Sequence, residues 1–124
     1  MIDEKILTIV VPVYNEEKTI EKVLLSLTKL REKVETIEII VVNDGSKDNS
    51  LKILRENHNY YDVLINNLQN KGKGNAVKSA LEKANGKYVV FQDADLEYDP
   101  QDFKKFINLI NKFSPDLIIG SRFN

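Results

Sequence analysis

The sequence predicts an α/β fold, a mostly parallel sheet with helices on both faces, and two observations predict it. Five short apolar runs, rich in β-branched residues, alternate with polar or helix-patterned stretches along the 124 residues. Alternation of this kind implies right-handed crossovers between parallel strands. The runs are also nearly continuous in apolar character, as strands covered on both faces must be. With a prior of roughly 100 to 200 residues per domain, residues 1–124 read as a single domain. A hydrophobic fraction of 42% is enough for one core without covalent staples.

The first run, Ile6 to Tyr14 (ILTIVVPVY), reads as a strand buried on both faces. Pro12 cannot donate to a ladder, so it should lie near the C-terminal end of this strand, where pairing can lapse. Asn15 is placed to cap a helix over Glu16 to Arg31, whose Ile20, Val23, Leu24, Leu27 and Leu30 form one apolar face. The second strand, Ile37 to Val42, runs into Asn43-Asp44-Gly45-Ser46, and a helix with Leu51, Ile53 and Leu54 follows from Asp48 or Asn49. A weaker third strand, Tyr61 to Ile65, leads through an Asn/Lys/Gly loop to a helix on Ala76, Val77, Ala80, Leu81 and Ala84, which Gly86 ends in a left-handed turn. The fourth strand, Lys87 to Gln92, delivers Asp93-Ala94-Asp95-Leu96-Glu97. Asp99 as N-cap and Pro100 at the first helical position start a helix through Phe103, Phe106, Ile107, Ile110 and Phe113. A last strand, Asp116 to Ile119, ends in Gly120-Ser121-Arg122.

Composition removes several classes of function. Lys and Arg number 18 against 19 Asp and Glu, so there is no basic excess to release counterions from a nucleic acid. With no cysteine there is no disulfide framework, thiolate metal site or cysteine nucleophile. The apolar runs are too short to span a membrane, and Asp3 and Glu4 stand where a secretory signal would carry positive charge. In open parallel sheets ligands sit outside the carboxyl ends of the strands. The polar chemistry stands there: Asn15-Glu16, Asp44, the Asn/Lys/Gly loop, Asp93-Asp95-Glu97 and Arg122.

Asp93-Ala94-Asp95 is the sharpest motif. Two carboxylates at i and i+2, with Glu97 two further on, disfavour full ionisation unless a cation joins them. Mg²⁺ or Mn²⁺ is the natural one, since such an ion takes one or two carboxylates and completes its shell with water and substrate phosphates. A turn in which one aspartate caps the next segment is the bland alternative. Asp44 can accept hydrogen bonds from the imide or amide edge of a nucleotide base, with Gly45 letting the backbone approach that base closely, or it can make an Asx-turn. Asn70-Lys71-Gly72-Lys73-Gly74 superficially matches a dinucleotide fingerprint, but Val77 occupies the third glycine position. Its lysines and the following helix N-terminus can attract a diphosphate or stand as a solvated loop. Arg122 can clamp a phosphate through two parallel hydrogen bonds, or end the chain in solvent. His58 has no partner at a recognisable spacing and reads as surface, and the Phe103, Phe106, Phe113 series reads as core.

Taken together, IVVPVYNEE at 9 to 17, EIIVVNDGSKDNS at 38 to 50, NKGKGNAV at 70 to 77, FQDADLEYDP at 91 to 100 and GSRF at 120 to 123 resemble the family 2 glycosyltransferases. Within that family the likeness is to the polyprenyl-phosphate branch, the dolichol-phosphate mannose or glucose synthases. The resemblance implies the Rossmann-like GT-A fold and a nucleotide-diphospho-sugar donor carrying UDP or GDP. It places Asp44 near the base, Pro12, Tyr14 and Glu16 along the nucleoside pocket, and Asp93 and Asp95 on ribose and divalent metal (Mg²⁺ or Mn²⁺). Glu97 then adds a metal ligand, while Lys73 and Arg122 face the phosphates. Transfer is inverting, to an acceptor that in this branch is a polyprenyl phosphate. A cytoplasmic location is expected, peripheral to the cytoplasmic face of a membrane where such acceptors lie.

Members of that family ordinarily continue well beyond GSRF into the segments that shape the acceptor site and carry the base where there is one. This sequence therefore resembles the donor-binding part, C-terminally short, with its catalytic base unassigned and with self-association expected to cover the acceptor side. A nucleotide-sugar-binding module without turnover is the alternative function. A haloacid dehalogenase-type phosphatase would carry its Asp-x-Asp after the first strand, and a phospho-receiver domain would need an acceptor Asp after the third. Asn15-Glu16 and Asn66-Asn67 occupy those places here.

Overall fold

The computed structural model describes residues 7–34, 36–70, 73–92 and 94. Strands β1 (Leu7–Val13), β2 (Ile37–Asp44), β3 (Val63–Asn67) and β4 (Tyr88–Phe91) alternate with helices α1 (Ile20–Lys33), α2 (Ser50–Glu56) and α3 (Lys73–Lys83). A single 3-10 turn, His58–Tyr60, precedes β3, and His58 on it is exposed as expected. Every strand pair is parallel and the order is β3-β2-β1-β4, a Rossmann-like sheet. A receiver-type order would place β3 beside β1; here β2 and β4 flank it.

Side-chain alternation along the strands sorts the interior into two layers. Leu7, Ile9, Val11 and Val13 of β1 join Ile37, Ile39 and Val41 of β2 beneath the predicted apolar face of α1, with Leu54 of α2 beside them. On the other face Val10, Ile40 and Val42 meet Ala76 and Ala80 of α3, whose small side chains let that helix lie close to the sheet. β3 is an edge strand and only partly buried along its length, which is why its apolar signal in the sequence is weak.

Pro12 shapes one end of this sheet. Val10 is in register with Phe91, and the Gln92 amide donates to the Val10 carbonyl at 2.9 Å. The next donor toward β4 in a parallel ladder would be residue 12, which has no N–H. Pairing of β1 with β4 stops there, while pairing with β2 continues to Val13 and Asn43.

Several local expectations are corrected. Asn15 does not cap a helix: its φ of 54° is left-handed, where a capping residue needs extended backbone, and α1 begins at Ile20 after Thr19. β2 runs on to Asp44, so Asn43 and Asp44 belong to the strand, and β3 is shifted to Val63–Asn67. Gly86 is not left-handed; among the described glycines only Gly45 is. Gly86 is small for reasons of space, since a Cβ there would lie 2.6 Å from both the amide nitrogen and the hydroxyl of Thr8. The helix expected through Phe113 and the strand Asp116 to Ile119 lie outside the described residues.

Candidate functional site

The chain steps from β1 to β2 to β3 in one direction and then returns through α3 to the opposite side of β1. The helices that follow β1 and β3 therefore cover opposite faces, so the switch point, where open sheets of this kind bind ligands, falls at the carboxyl ends of β1 and β4. Pro12 lies on the α3 side of this edge, opposite Val42, and Asp44 is two residues further along the same face. Asp44 is buried, at 5% exposure, Tyr14 is exposed and Glu16 half-buried. Lys73 is the first residue of α3. Asp93, Asp95, Glu97 and Arg122 lie outside the described residues, and among the described ones no three metal-ligating side chains gather.

Ala94, between the two aspartates, is described: it is buried, and its carbonyl accepts a hydrogen bond from the Thr19 hydroxyl. The same hydroxyl stands 3.4 Å from a Glu16 carboxylate oxygen. Thr19 occupies the N-cap position of α1 yet makes no capping bond, because its hydroxyl is directed at Ala94 instead. The link ties the start of α1 and the loop carrying Glu16 to the centre of the Asp93-Ala94-Asp95 motif across 75 residues of sequence. Sequence reasoning missed Thr19, since no local pattern signals a partner so far away.

The loops after β1 and β2 are laced together. The Asn15 amide donates to Ser46 Oγ at 3.0 Å, its side-chain oxygen accepts from the Lys47 amide at 2.8 Å, and Ser46 Oγ donates to Asn43 Oδ1 at 2.6 Å. The Glu16 amide reaches Ser50 Oγ at 2.9 Å, the Glu17 amide Asp48 Oδ2 at 3.2 Å, and Glu17 Oε2 accepts from the Asn49 amide at 3.2 Å. Asn15 is thus left-handed for a reason: it trades a cap for two bonds across the edge, and asparagine tolerates that conformation better than most residues.

Asp48 accepts from the Ser50 amide at 2.9 Å as well as from Glu17. Burial pushes its carboxyl up, but the hydrogen bonds from Ser50 and Glu17 outweigh that and hold it below the ordinary value. A lowered folded value means that the bonds stabilise the fold above the usual carboxylate range and cease to do so as pH falls through the folded value. The Glu17 and Ser50 amide resonances should therefore stay fixed from neutral pH down to about pH 4 and move together below it. Movement beginning near pH 6 would contradict this account of the lacing.

At the end of β2, Asp44 Oδ1 accepts from Asn67 Nδ2 at 3.3 Å, and on the opposite face Asn43 Nδ2 donates to Asn66 Oδ1 at 2.9 Å. Gly45 follows with φ of 71°, directly against the backbone of Gln69 and Asn70. What lies close to Gly45 in this structure is the chain's own loop after β3. A buried carboxylate, a left-handed glycine and a folded-over loop meet at the end of β2, the candidate recess of this edge.

The fold is a Rossmann-like α/β domain with polar residues gathered at the carboxyl edge of its parallel sheet. The chain belongs to glycosyl transferase family 2, whose family model matches residues 8–124. It is 38% identical over 143 residues to a dolichyl-phosphate beta-glucosyltransferase of Saccharomyces cerevisiae, with 97% of this chain and 42% of that one covered. Among solved structures it superposes on Staphylococcus aureus TarS 1-349 in complex with UDP-GlcNAc, with a TM-score of 0.78, 30% identity, and coverage of 90% of this chain and 32% of that one. It also superposes on glucosyl-3-phosphoglycerate synthase of Mycobacterium tuberculosis in complex with Mn²⁺, UDP and glucosyl-3-phosphoglycerate, with a TM-score of 0.69, 27% identity, and coverage of 86% and 39%. The chain spans less than half the length of each of these proteins.

Proposed function

We propose that this chain forms the donor-binding part of an inverting glycosyltransferase that takes a nucleotide-diphospho-sugar, with a polyprenyl phosphate as acceptor. The observation that carries the reading is Ala94: buried at the carboxyl end of β4, beside β1 at the switch point, and held there by Thr19. It puts the centre of Asp93-Ala94-Asp95 at the one edge where such sheets bind ligands. The crystallised complexes of TarS and of the mycobacterial synthase, and the acceptor named for the yeast enzyme, support the choice of donor and acceptor class.

On this reading Asp44 accepts from the base, Pro12, Tyr14 and Glu16 line the nucleoside, and Lys73 and Arg122 face the diphosphate. Asp93, Asp95 and Glu97 are a donor set of hard carboxylate oxygens, the chemistry that Mg²⁺ or Mn²⁺ prefers. Such an ion would supply charge neutralisation on the departing nucleoside diphosphate. The acceptor oxygen attacks the anomeric carbon as the bond to the diphosphate oxygen breaks on the opposite side, which inverts that carbon. A polyprenyl phosphate is already anionic and needs no general base, so none is assigned. The described residues include no helix long and apolar enough to cross a membrane; the reading places residues 1–124 as one domain at the cytoplasmic face of a membrane, reaching lipid acceptors peripherally. Self-association over the acceptor side is part of it, and a monomer at all concentrations in sedimentation would remove that part.

The test is a calorimetric titration of UDP, GDP and their sugar conjugates, with and without Mn²⁺. Wild type should bind one nucleotide in a metal-dependent way, and Asp95→Asn should remove the metal-dependent part while leaving the unfolding temperature unchanged. No binding by folded protein at millimolar ligand would overturn the reading. Because the chain spans only part of the length of its relatives, a binding module without turnover is the second reading. Binding with neither donor hydrolysis nor transfer to a lipid phosphate would select it.

A further inference from the structure

The last two rungs of the β2–β3 pairing bring polar side chains together on both faces of the sheet: Asn43 is in register with Asn66 and Asp44 with Asn67. Asp44 and Asn67 share the α3 side, where Val42 and Ile65 precede them. A carboxylate can only accept, so it is the amide nitrogen of Asn67 that faces Asp44 Oδ1, at 3.3 Å. The Asp44 main chain is held by the ladder, the residue is buried, and the next residue, Gly45, is packed under the Gln69-Asn70 backbone. The Asn67 side chain of the neighbouring strand is therefore one of the groups that orient this carboxylate.

The orientation matters for which base the recess prefers. Guanine presents N1–H and N2–H side by side, and a carboxylate takes that pair with both oxygens at once. Uracil presents a single N3–H flanked by carbonyls, which asks for one acceptor with a donor beside it. Commitment of Oδ1 to Asn67 weakens the two-oxygen grip that guanine needs. The Asn67 amide next to Asp44 also supplies a donor beside an acceptor, the pattern complementary to uracil. Guanine can present O6 to the amide only by leaving N2–H without its partner, and an unpaired group in a buried site is costly.

Resting on the donor-site reading above, we infer that Asn67 is a positioning residue that acts through Asp44 to set a preference for uridine over guanosine nucleotides. The sequence offered no sign of this. Asn67 lies in a run of polar residues after a weak strand, and only the register of β3 on β2 pairs it with Asp44.

The test is the ratio of UDP to GDP affinity, measured calorimetrically on the full chain with Mn²⁺ for wild type, Asn67→Leu and Asn67→Gln. Leucine keeps the bulk and removes the donor; glutamine keeps a donor. Wild type should favour UDP, and Asn67→Leu should weaken UDP binding about tenfold, the scale of a hydrogen bond to a charged group, with a smaller loss for GDP, so that the preference collapses. Asn67→Gln should retain part of it. A general loosening of the fold would weaken both nucleotides alike and leave the ratio unchanged, and that result overturns the inference while leaving donor binding intact. A wild type that favours GDP overturns it too. A wild type that binds neither nucleotide overturns the donor-site reading itself, and this inference with it.

Discussion

Replacing Gly45 with alanine should cost about 3 kcal/mol of folding stability and abolish nucleotide binding, the sum of a left-handed backbone penalty of about 1 to 2 kcal/mol and a comparable overpacking term. The two costs have separate causes. At φ of 71° any Cβ crowds its own carbonyl. In addition, the new methyl would sit 2.4 Å from the Asn70 nitrogen and 2.6 Å from the Gln69 carbonyl carbon, both main-chain atoms that cannot swing aside as a side-chain tip can. Relief requires lifting the Gln69-Asn70 segment off the end of β2, and that segment follows directly from Asn67, which orients Asp44. Stability and binding should therefore fall together, with a drop in unfolding temperature of roughly 10 °C. An alanine variant that melts with wild type would show that the loop is not packed on Gly45. One that melts lower but binds normally would separate this loop from the ligand recess.

How far the site was legible in the sequence depends on the range over which its parts communicate. The strands of the sheet centre were readable because each is an unbroken β-branched run, and α1 because its five apolar residues recur at helical spacing and all five are buried. Pro12 was readable because its chemistry forbids one hydrogen bond wherever it stands. The carboxyl edge was readable because polar residues gather after successive strands. Asn15 misled, since a helix-capping residue and a left-handed asparagine look alike until the Lys47 amide and Ser46 hydroxyl are known to be within reach. Thr19, Ser46, Ser50 and Asn67 carry no local signal for one reason: their partners across the edge are 23 to 75 residues away and depend on which strands are neighbours. The order β3-β2-β1-β4 is not written in any local pattern. One long-range contact does leave a mark in the sequence. Thr8 and Glu38 are polar residues set within apolar runs, each the second residue of its strand, and a buried polar residue in such a run announces a partner.

That pair carries the other large effect. Glu38 and Thr8 are in register on the α3 side of β2 and β1, both buried, at the opposite end of the sheet from the ligand edge. Glu38 Oε1 accepts from the Thr8 hydroxyl at 2.9 Å and from the Asn85 amide at 2.9 Å, and Oε2 accepts from Asn85 Nδ2 at 2.8 Å. Thr8 Oγ1 in turn accepts from the Gly86 amide at 2.9 Å. The connection between α3 and β4 is thereby bolted to the start of the sheet, which fixes the register of β4 with Tyr88 opposite Leu7. Glu38→Leu fills the space but removes three acceptor contacts. Asn85 can turn its side chain to water, whereas the fully buried Thr8 hydroxyl cannot, so the loss should be about 3 kcal/mol. Glu38→Gln keeps one oxygen for Thr8 and the Asn85 amide, and the Asn85 side chain can flip its own oxygen toward the new amide, so this variant should lose only about 1 kcal/mol. The contrast is the test. Equal losses for Leu and Gln would mean that the negative charge, rather than the acceptor geometry, holds the turn. Because β4 also delivers Ala94 to Thr19, Glu38→Leu should weaken the proposed nucleotide binding from the far end of the sheet, although Glu38 lies at the opposite end from Asp44.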